Sequence, residues 1–275
     1  APVVALGIVA TIAIGIAATT AIFAVLNAVL IRPLPYPDPD RLISLSHAAP
    51  GASTDDVESA PFLYFTERDA KQIFDGVGLW AIGATTVTGL GDPEQVRQVL
   101  VTHEILPTLG IAPLLGRAFS AEEDRPESRP TVILMHGYWQ RRFASDPSVI
   151  GQTLTMDGQP REIVGVMPRS FRFLDFQVDA ISSYQLRRAD VTVGNYFRSS
   201  IARLRPGVTL DAASAEIARL IPVAQHSFPL RPGITREQME STRLRPNLKP
   251  LKAEVIGDVG TTLWVLMTTV GIVLL

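Results

Sequence analysis

The sequence predicts an α+β domain in two lobes, set between two membrane-spanning α-helices. Three observations carry this reading. All the charged residues, 25 basic and 27 acidic, lie between Arg32 and Asp258, so each end of the 275-residue chain is an uncharged run. Inside the charged region, alternating apolar segments are interleaved with segments of helical period. Asp157-Gly158 sits between two alternating segments, which is the strongest hairpin signal in the chain.

Residues 1–31 contain no Asp, Glu, Lys or Arg, and Val3 to Ile31 is almost wholly Ala, Val, Ile, Leu, Gly and Thr. About 20 apolar residues span a bilayer core, and this run exceeds that by roughly ten. A signal peptide has an apolar stretch of roughly 7 to 15 residues behind a basic segment, and neither is present. Residues 1–31 therefore read as a first transmembrane helix. After Asp258 the sequence VGTTLWVLMTTVGIVLL is again uncharged. Residues 258–275 read as the start of a second helix, with Trp264 as an interfacial anchor or ordinary packing. Opening on Ala1 and stopping inside an apolar run, the sequence reads as an excerpt of a longer chain. Two spans place both ends on one side of the membrane and the domain on the other. Charge does not orient a domain of this length.

Residues 32–42, RPLPYPDPDRL, hold prolines at 33, 35, 37 and 39. Proline lacks a helix donor and restrains its predecessor, so this stretch predicts an extended linker that ends the first helix. The domain occupies 43–257. Ile43 to Ser46 predicts a short strand. From Ser59, the positions Phe62, Phe65, Ala70, Ile73 and Phe74 predict a helix with Glu67, Arg68, Asp69 and Lys71 on its polar side, closed by Asp75-Gly76. Leu79–Leu90 and Glu94–Thr102 predict two strands around a loop at 89–93. Ile105–Leu109 fits a short helix and Gly110–Gly116 a turn. SAEED at 120–124 has the form of a capped helical turn, with Ser120 and Glu123 reciprocating. Thr131–Met135 reads as a buried strand and Tyr138–Phe143 as a helix. Gln152–Val166 forms the hairpin, with Leu154 and Met156 facing Ile163 or Val164. Beyond Val178 the pattern weakens. Arg198–Leu204 alternates as a strand, and Pro206-Gly207 turns. Thr209 caps a helix in which Leu210, Ala213, Ile217, Leu220 and Ile221 share a face. Arg243–Val255 reads as a final extended segment.

Composition excludes several classes. Net charge is −2 and no Lys/Arg-rich run occurs, so there is no electrostatic footprint for nucleic acid. The absence of Cys removes disulfides, thiolate metal sites and cysteine nucleophiles. No phosphate-binding loop, dinucleotide fingerprint or nucleophile elbow is present. His103-Glu104 begins like a zinc-protease motif, but Pro107 stands where its second histidine belongs. The other histidines, 47, 136 and 226, show no ligand spacing. Asp55-Asp56 and Glu122-Glu123 read as solvated loop charge. No residue is nominated as catalytic, cofactor-binding or metal-ligating, no cofactor is expected, and the chain does not read as an enzyme.

Four stretches carry a resemblance: GIVATIAIGIAATTAIFAVLNAVLIRPLPYPDPDRL at the start, LPTLGIAPLLGRAFSAEED at 106–124, WQRRFASDPSVIGQTLTMDGQPREIVGVMP at 139–168 and IARLRPGVTLDAASAEI at 201–217. In this order they resemble MacB/FtsX-type ABC transporter permeases, and RPLPYPDPDRL most resembles the duplicated orphan subset. The resemblance implies four membrane helices per unit, with a MacB-like periplasmic core domain between the first two. It implies a multi-pass protein of the cytoplasmic (inner) membrane with residues 32–257 outside. Implied partners are the lipid bilayer, a separate or fused cytoplasmic ABC ATPase, a periplasmic adaptor, and a second permease copy or internally duplicated pair. The implied function is efflux or the transmission of motion across the membrane. Arg32, Pro33, Gly116, Arg117, Gly151, Gly165 and Pro168 are then turn and packing residues. Two other classes stay open: a membrane-tethered binding or sensor module without ATP coupling, and a membrane-anchored enzyme.

Overall fold

The computed structural model describes residues 2–26, 33–194 and 196–257, together with positions 265 and 269. Contacts divide the chain into two units: Pro35–Leu251, and the two terminal stretches Ala1–Leu34 with Lys252–Leu275.

In the terminal unit α1 runs from Pro2 to Leu26 and has no acidic residue in its first turn and no basic residue in its last. Leu6, Val9, Ile14, Ile16 and Phe23 are exposed on it. The Thr19 and Thr20 hydroxyls donate back along the helix to the carbonyls of Gly15 and Ile16, each at 2.8 Å. Taken over the described residues, no helix is long and apolar enough to cross a membrane; the side chains of α1 are described only in part. The expected helical stretch at 27–31 and nearly all of 258–275 lie outside the described residues.

The unit Pro35–Leu251 is built on one sheet. Its strands are β1 (Leu42–Ala49), β2 (Thr54–Val57), β3 (Phe74–Thr88), β4 (Glu94–Val101), β5 (Leu115–Gly116) and β6 (Thr131–Leu134). They continue with β7 (Thr153–Met156), β8 (Gln159–Val166), β9 (Ala180–Ser183), β10 (Ser199–Leu204) and β11 (Arg245–Pro250). The helices are α2 (Pro61–Glu67), α3 (Ile105–Leu109), α4 (His136–Phe143), α5 (Leu210–Ser227) and α6 (Arg236–Ser241), followed by α7 (Leu251–Ile256). Strand order is β11-β1-β10-β3-β4-β9-β6-β8-β5, with β2 on β1 and β7 joining β3 to β8. Along this path β4–β9 and β6–β8 are parallel and the other pairs antiparallel.

Two apolar cores are found among the described residues. One buries Phe62 and Phe65 of α2 and Ala213, Ile217 and Ile221 of α5 against Ile43, Leu45, Val77 and Leu79. The other buries Tyr138 and Trp139 of α4 against Val132, Leu134, Leu154, Met156 and Ile163. The 15-residue strand β3 contributes Val77 to the first and Val87 to the second, so one strand joins them. The α+β class is as expected, and the two lobes become two ends of a continuous sheet.

Most elements fall where the sequence places them. The hairpin register pairs Met156 with Gln159, and Asp157 and Gly158 both take positive φ, 49° and 74°. Ile163 joins Leu154 and Met156 in one core, which resolves the choice between Ile163 and Val164. Thr209 accepts from the Ala212 N–H and caps α5, which continues through Pro222 to Ser227.

Four expectations change. The helix predicted from Ser59 to Phe74 stops at Glu67, and Phe74 opens β3. Gly76 and Gly78 suit β3 to its close passage beneath α3, where a Cβ would lie 2.5 Å from the Thr108 hydroxyl oxygen and 2.6 Å from the Ile105 side chain. Glu67, expected on the polar side, is 1% exposed and lies against the fully buried His47, 3.3 Å from its Nε2. The extended segment predicted to Val255 ends at Pro250, whose missing N–H ends the ladder, and the helix-forming LKAEVI continues as α7. The turn 110–116 contains β5, which pairs with β8.

Candidate functional site

Two places concentrate chemistry. The first is where the chain joins the domain from α1. Tyr36, 5% exposed, donates its hydroxyl to the carbonyl of Arg172 and accepts from the Leu174 N–H, each at 2.9 Å. Burial pushes its phenol up to about 12, against the opposing effect of the Leu174 N–H. The next residues are held from the sheet. Arg203 of β10 donates through Nη2 to the carbonyl of Pro37 (2.8 Å), through Nη1 to that of Asp38 (3.1 Å), and through Nε to that of Thr108 (2.8 Å). Asp38 takes a left-handed φ of 44° and a 3-10 turn, Pro39–Arg41, leads into β1. Arg41 then donates to the Leu204 carbonyl at 2.8 Å and pairs with Asp75. The proline-rich stretch from Tyr36 onward is thus held first by the 172–174 loop and then by β10.

β1 and β11 bring the chain's two ends of the domain together. Ile43 lies opposite Pro250 in their antiparallel register, so the chain enters and leaves the sheet at paired neighbours.

The second place is a cleft of ≈430 Å³ between α2, the segment before α3 and the 117–128 loop. At its wall His103 Nδ1 stands 3.1 Å from Asp124 Oδ2 and 3.2 Å from Glu104 Oε2. Asp124 is fixed by two backbone donors: the His103 N–H to Oδ2 and the Gln185 N–H to Oδ1, both at 3.0 Å. Glu104 Oε2 also accepts from the Tyr64 hydroxyl at 2.6 Å. Arg68 lies over the rings of Tyr64 and Phe65, 4.0 Å from the other Glu104 oxygen. Partial burial works against a charged His103, but its hydrogen bond to Asp124 and the charges of Glu104 and Asp124 outweigh that and raise its pKa. Burial and the Glu104 charge raise that of the Tyr64 phenol.

The half-motif His103-Glu104 was visible in sequence; Asp124 was not connected with it. Asp124 belongs to SAEED, where both capping bonds form, Glu123 N–H to Ser120 Oγ at 3.3 Å and Ser120 N–H to Glu123 Oε2 at 2.9 Å. They close a turn rather than an α-helix, and that turn presents Asp124 to His103. Glu123, expected to be solvated charge, forms a bidentate pair with Arg117 at 2.6 and 2.8 Å. Asp56 likewise meets Lys249 at 2.9 Å. His136 packs edge-on against Trp139, and His226 Nδ1 sits 2.7 Å from the Pro222 carbonyl oxygen. Of the turn and packing residues, Gly116 lies opposite Gly165 in the β5–β8 pair.

A mixed sheet carrying two helix-covered cores, with its chain ends paired at one end, defines a domain inserted between flanking segments. The chain belongs to the MacB-like periplasmic core domain family, whose model matches residues 5–220. Among solved structures it is similar to a domain of a permease protein from Porphyromonas gingivalis, at 17% identity and a TM-score of 0.53, covering 78% of this chain and 92% of that one. It is also similar to the extracellular domain of the noncanonic ABC-type transporter YknZ from Gram-positive bacteria. That match has 13% identity and a TM-score of 0.50, and covers 68% and 95% of the two chains. These likenesses concern the fold. No match to a curated protein sequence is found.

Proposed function

We propose that this chain is part of the permease subunit of an ABC-type transporter. In this reading Pro35–Leu251 stands outside the cytoplasmic membrane, and the apolar segments before and after it cross that membrane. ATP is hydrolysed by a separate or fused cytoplasmic ATPase, and the domain relays motion toward an extracytoplasmic adaptor, a substrate or a second permease copy. The domain itself catalyses no reaction.

The observation that carries this is the pairing of Ile43 with Pro250. A domain inserted between two adjacent membrane helices must receive and return its chain at neighbouring points, and β1 and β11 do so. The apolar α1 supports the same reading. The uncharged run of residues 1–31 exceeds the about 20 apolar residues that a hydrocarbon core needs. The Thr19 and Thr20 hydroxyls are satisfied within the helix, as a medium without water requires. Relay of motion is favoured because Arg203 binds the incoming chain to β10 and Tyr36 binds it to the 172–174 loop, so displacement there reaches the domain with little slack.

Sidedness tests the reading. The chain has no Cys, so single cysteines at the exposed Asp92 and Asp211 give clean reporters. In intact cells both are expected to react with a membrane-impermeant thiol reagent. Protection of both until the membrane is permeabilised would overturn the topology.

A further inference from the structure

We propose that His103, Glu104 and Asp124 form a three-ligand site for a divalent transition-metal cation of the zinc class, with its fourth position open to the cleft. Among the described residues these are the group of three whose ligand atoms all lie within 4.8 Å of one another.

The spacing fits such an ion. Zinc binds imidazole nitrogen and carboxylate oxygen at about 2.0–2.2 Å, so two ligands of a tetrahedral site stand roughly 3.3 Å apart. Nδ1 of His103 is 3.1 Å from Asp124 Oδ2 and 3.2 Å from Glu104 Oε2. A single ring nitrogen facing two carboxylate oxygens has at most one proton to share between them. A cation between the three atoms satisfies all of them.

The donor set suits the charge, because two carboxylates neutralise a dication and neutral imidazole completes a borderline-soft set. The ligands are also held from behind, which metal sites need to keep their geometry. Two backbone N–H groups orient Asp124, one on each oxygen, and the Tyr64 hydroxyl orients Glu104. Asp124 arrives from the loop 117–128, which Gln185 fastens through the carbonyls of Glu123 and Ser128 at 3.1 Å. Binding an ion would therefore tie that loop to the segment before α3.

The surroundings define the fourth ligand. Arg68, Lys71 and Arg125 line the cleft. Their charge disfavours a loosely held hydrated cation anywhere but between the two carboxylates, and it favours an anionic group, or water, on the open side of the ion.

The test uses the full chain, free of any histidine tag, in detergent and stripped with chelator. Titration with Zn²⁺ in a calorimeter is expected to show one saturable site per chain, and bound Zn²⁺ to raise the thermal midpoint. Glu104→Gln keeps the volume and the Tyr64 contact and is expected to weaken binding on the order of 100-fold, and His103→Ala at least as much. The melting curve of each variant without metal reports its fold, so a loss of binding by an unfolded variant is recognised, and Glu104→Gln, which leaves the Asp124 clamp intact, then decides. No saturable binding by the wild-type chain, or binding unchanged in a folded Glu104→Gln variant, would overturn the site.

Discussion

The guanidinium of Arg203 and the carbonyl of Pro37, 166 residues apart, are joined by a hydrogen bond of 2.8 Å. The same side chain bonds the carbonyls of Asp38 and Thr108 and is 8% exposed. Three neutral acceptors from two distant segments thus depend on one planar, forked donor.

Truncating that donor leaves all three carbonyls short of a partner. Arg203→Ala is expected to cost about 2–4 kcal/mol, a fall of roughly 5–15 °C in melting temperature for a unit of this size. Limited trypsin digestion reports the location, since cleavage after Arg41 is expected to accelerate. Arg203→Lys keeps the charge but loses the fork, and its stability should fall between the two. A melting curve and digestion rate unchanged in Arg203→Ala would show that the incoming chain is held some other way.

Gly116 tests close packing against backbone conformation. Its φ is 71°, and a Cβ there would lie 2.1 Å from the carbonyl oxygen of Val164. Gly151 has a φ of 85° but nothing within 4 Å of its own Cβ position. Gly151→Ala should therefore cost only the left-handed strain of an L-residue, about 1–2 kcal/mol. Gly116→Ala adds the clash and the loss of the β5–β8 pair, for roughly 3–5 kcal/mol. Urea unfolding of the two variants measures both, and equal losses would refute the packing role.

Much of this architecture was legible in sequence because it rests on local signals. Asp157-Gly158 dictates its hairpin through positive φ, and Thr209 announces α5 by the cap it makes. What local pattern could not show is long-range pairing. β9 is four residues, AISS, fully buried between β4 and β6, and its two serines hide it from a hydropathy pattern. Ser182 is admitted to the interior by a 2.7 Å bond to Gln98, 84 residues away. Glu67 fits the polar face of a helix until His47, on a strand that precedes it, is brought against it. The cleft is the same case. His103-Glu104 shows as half a motif, and its third member arrives through a capping turn 21 residues on, a distance no ligand spacing encodes.

That turn should also give the domain a measurable acid response. Arg117 grips both oxygens of Glu123, and the Ser120 N–H adds a third bond. The Arg117 pairing is the largest cause holding the Glu123 carboxyl below its ordinary value, with the Ser120 N–H adding to it against the effect of burial. A carboxyl depressed in the folded state contributes stability above its unfolded value, near 4.3, and loses it as pH falls through the lower folded value. Wild type should therefore lose more stability than Glu123→Gln between about pH 5 and pH 3. Arg117 is 56% exposed on its side chain, so solvent screens the pair. The difference at neutral pH should not exceed about 1 kcal/mol, and it should shrink in 1 M salt. Urea midpoints of the two proteins at pH 7 and pH 3 measure this directly. Other carboxyls titrate equally in both and cancel in the comparison. Convergence of the midpoints at low pH is the expected result. Parallel displacement at both pH values would mean that glutamine disturbs packing in the turn, and that the Arg117 pair does not set the acid response.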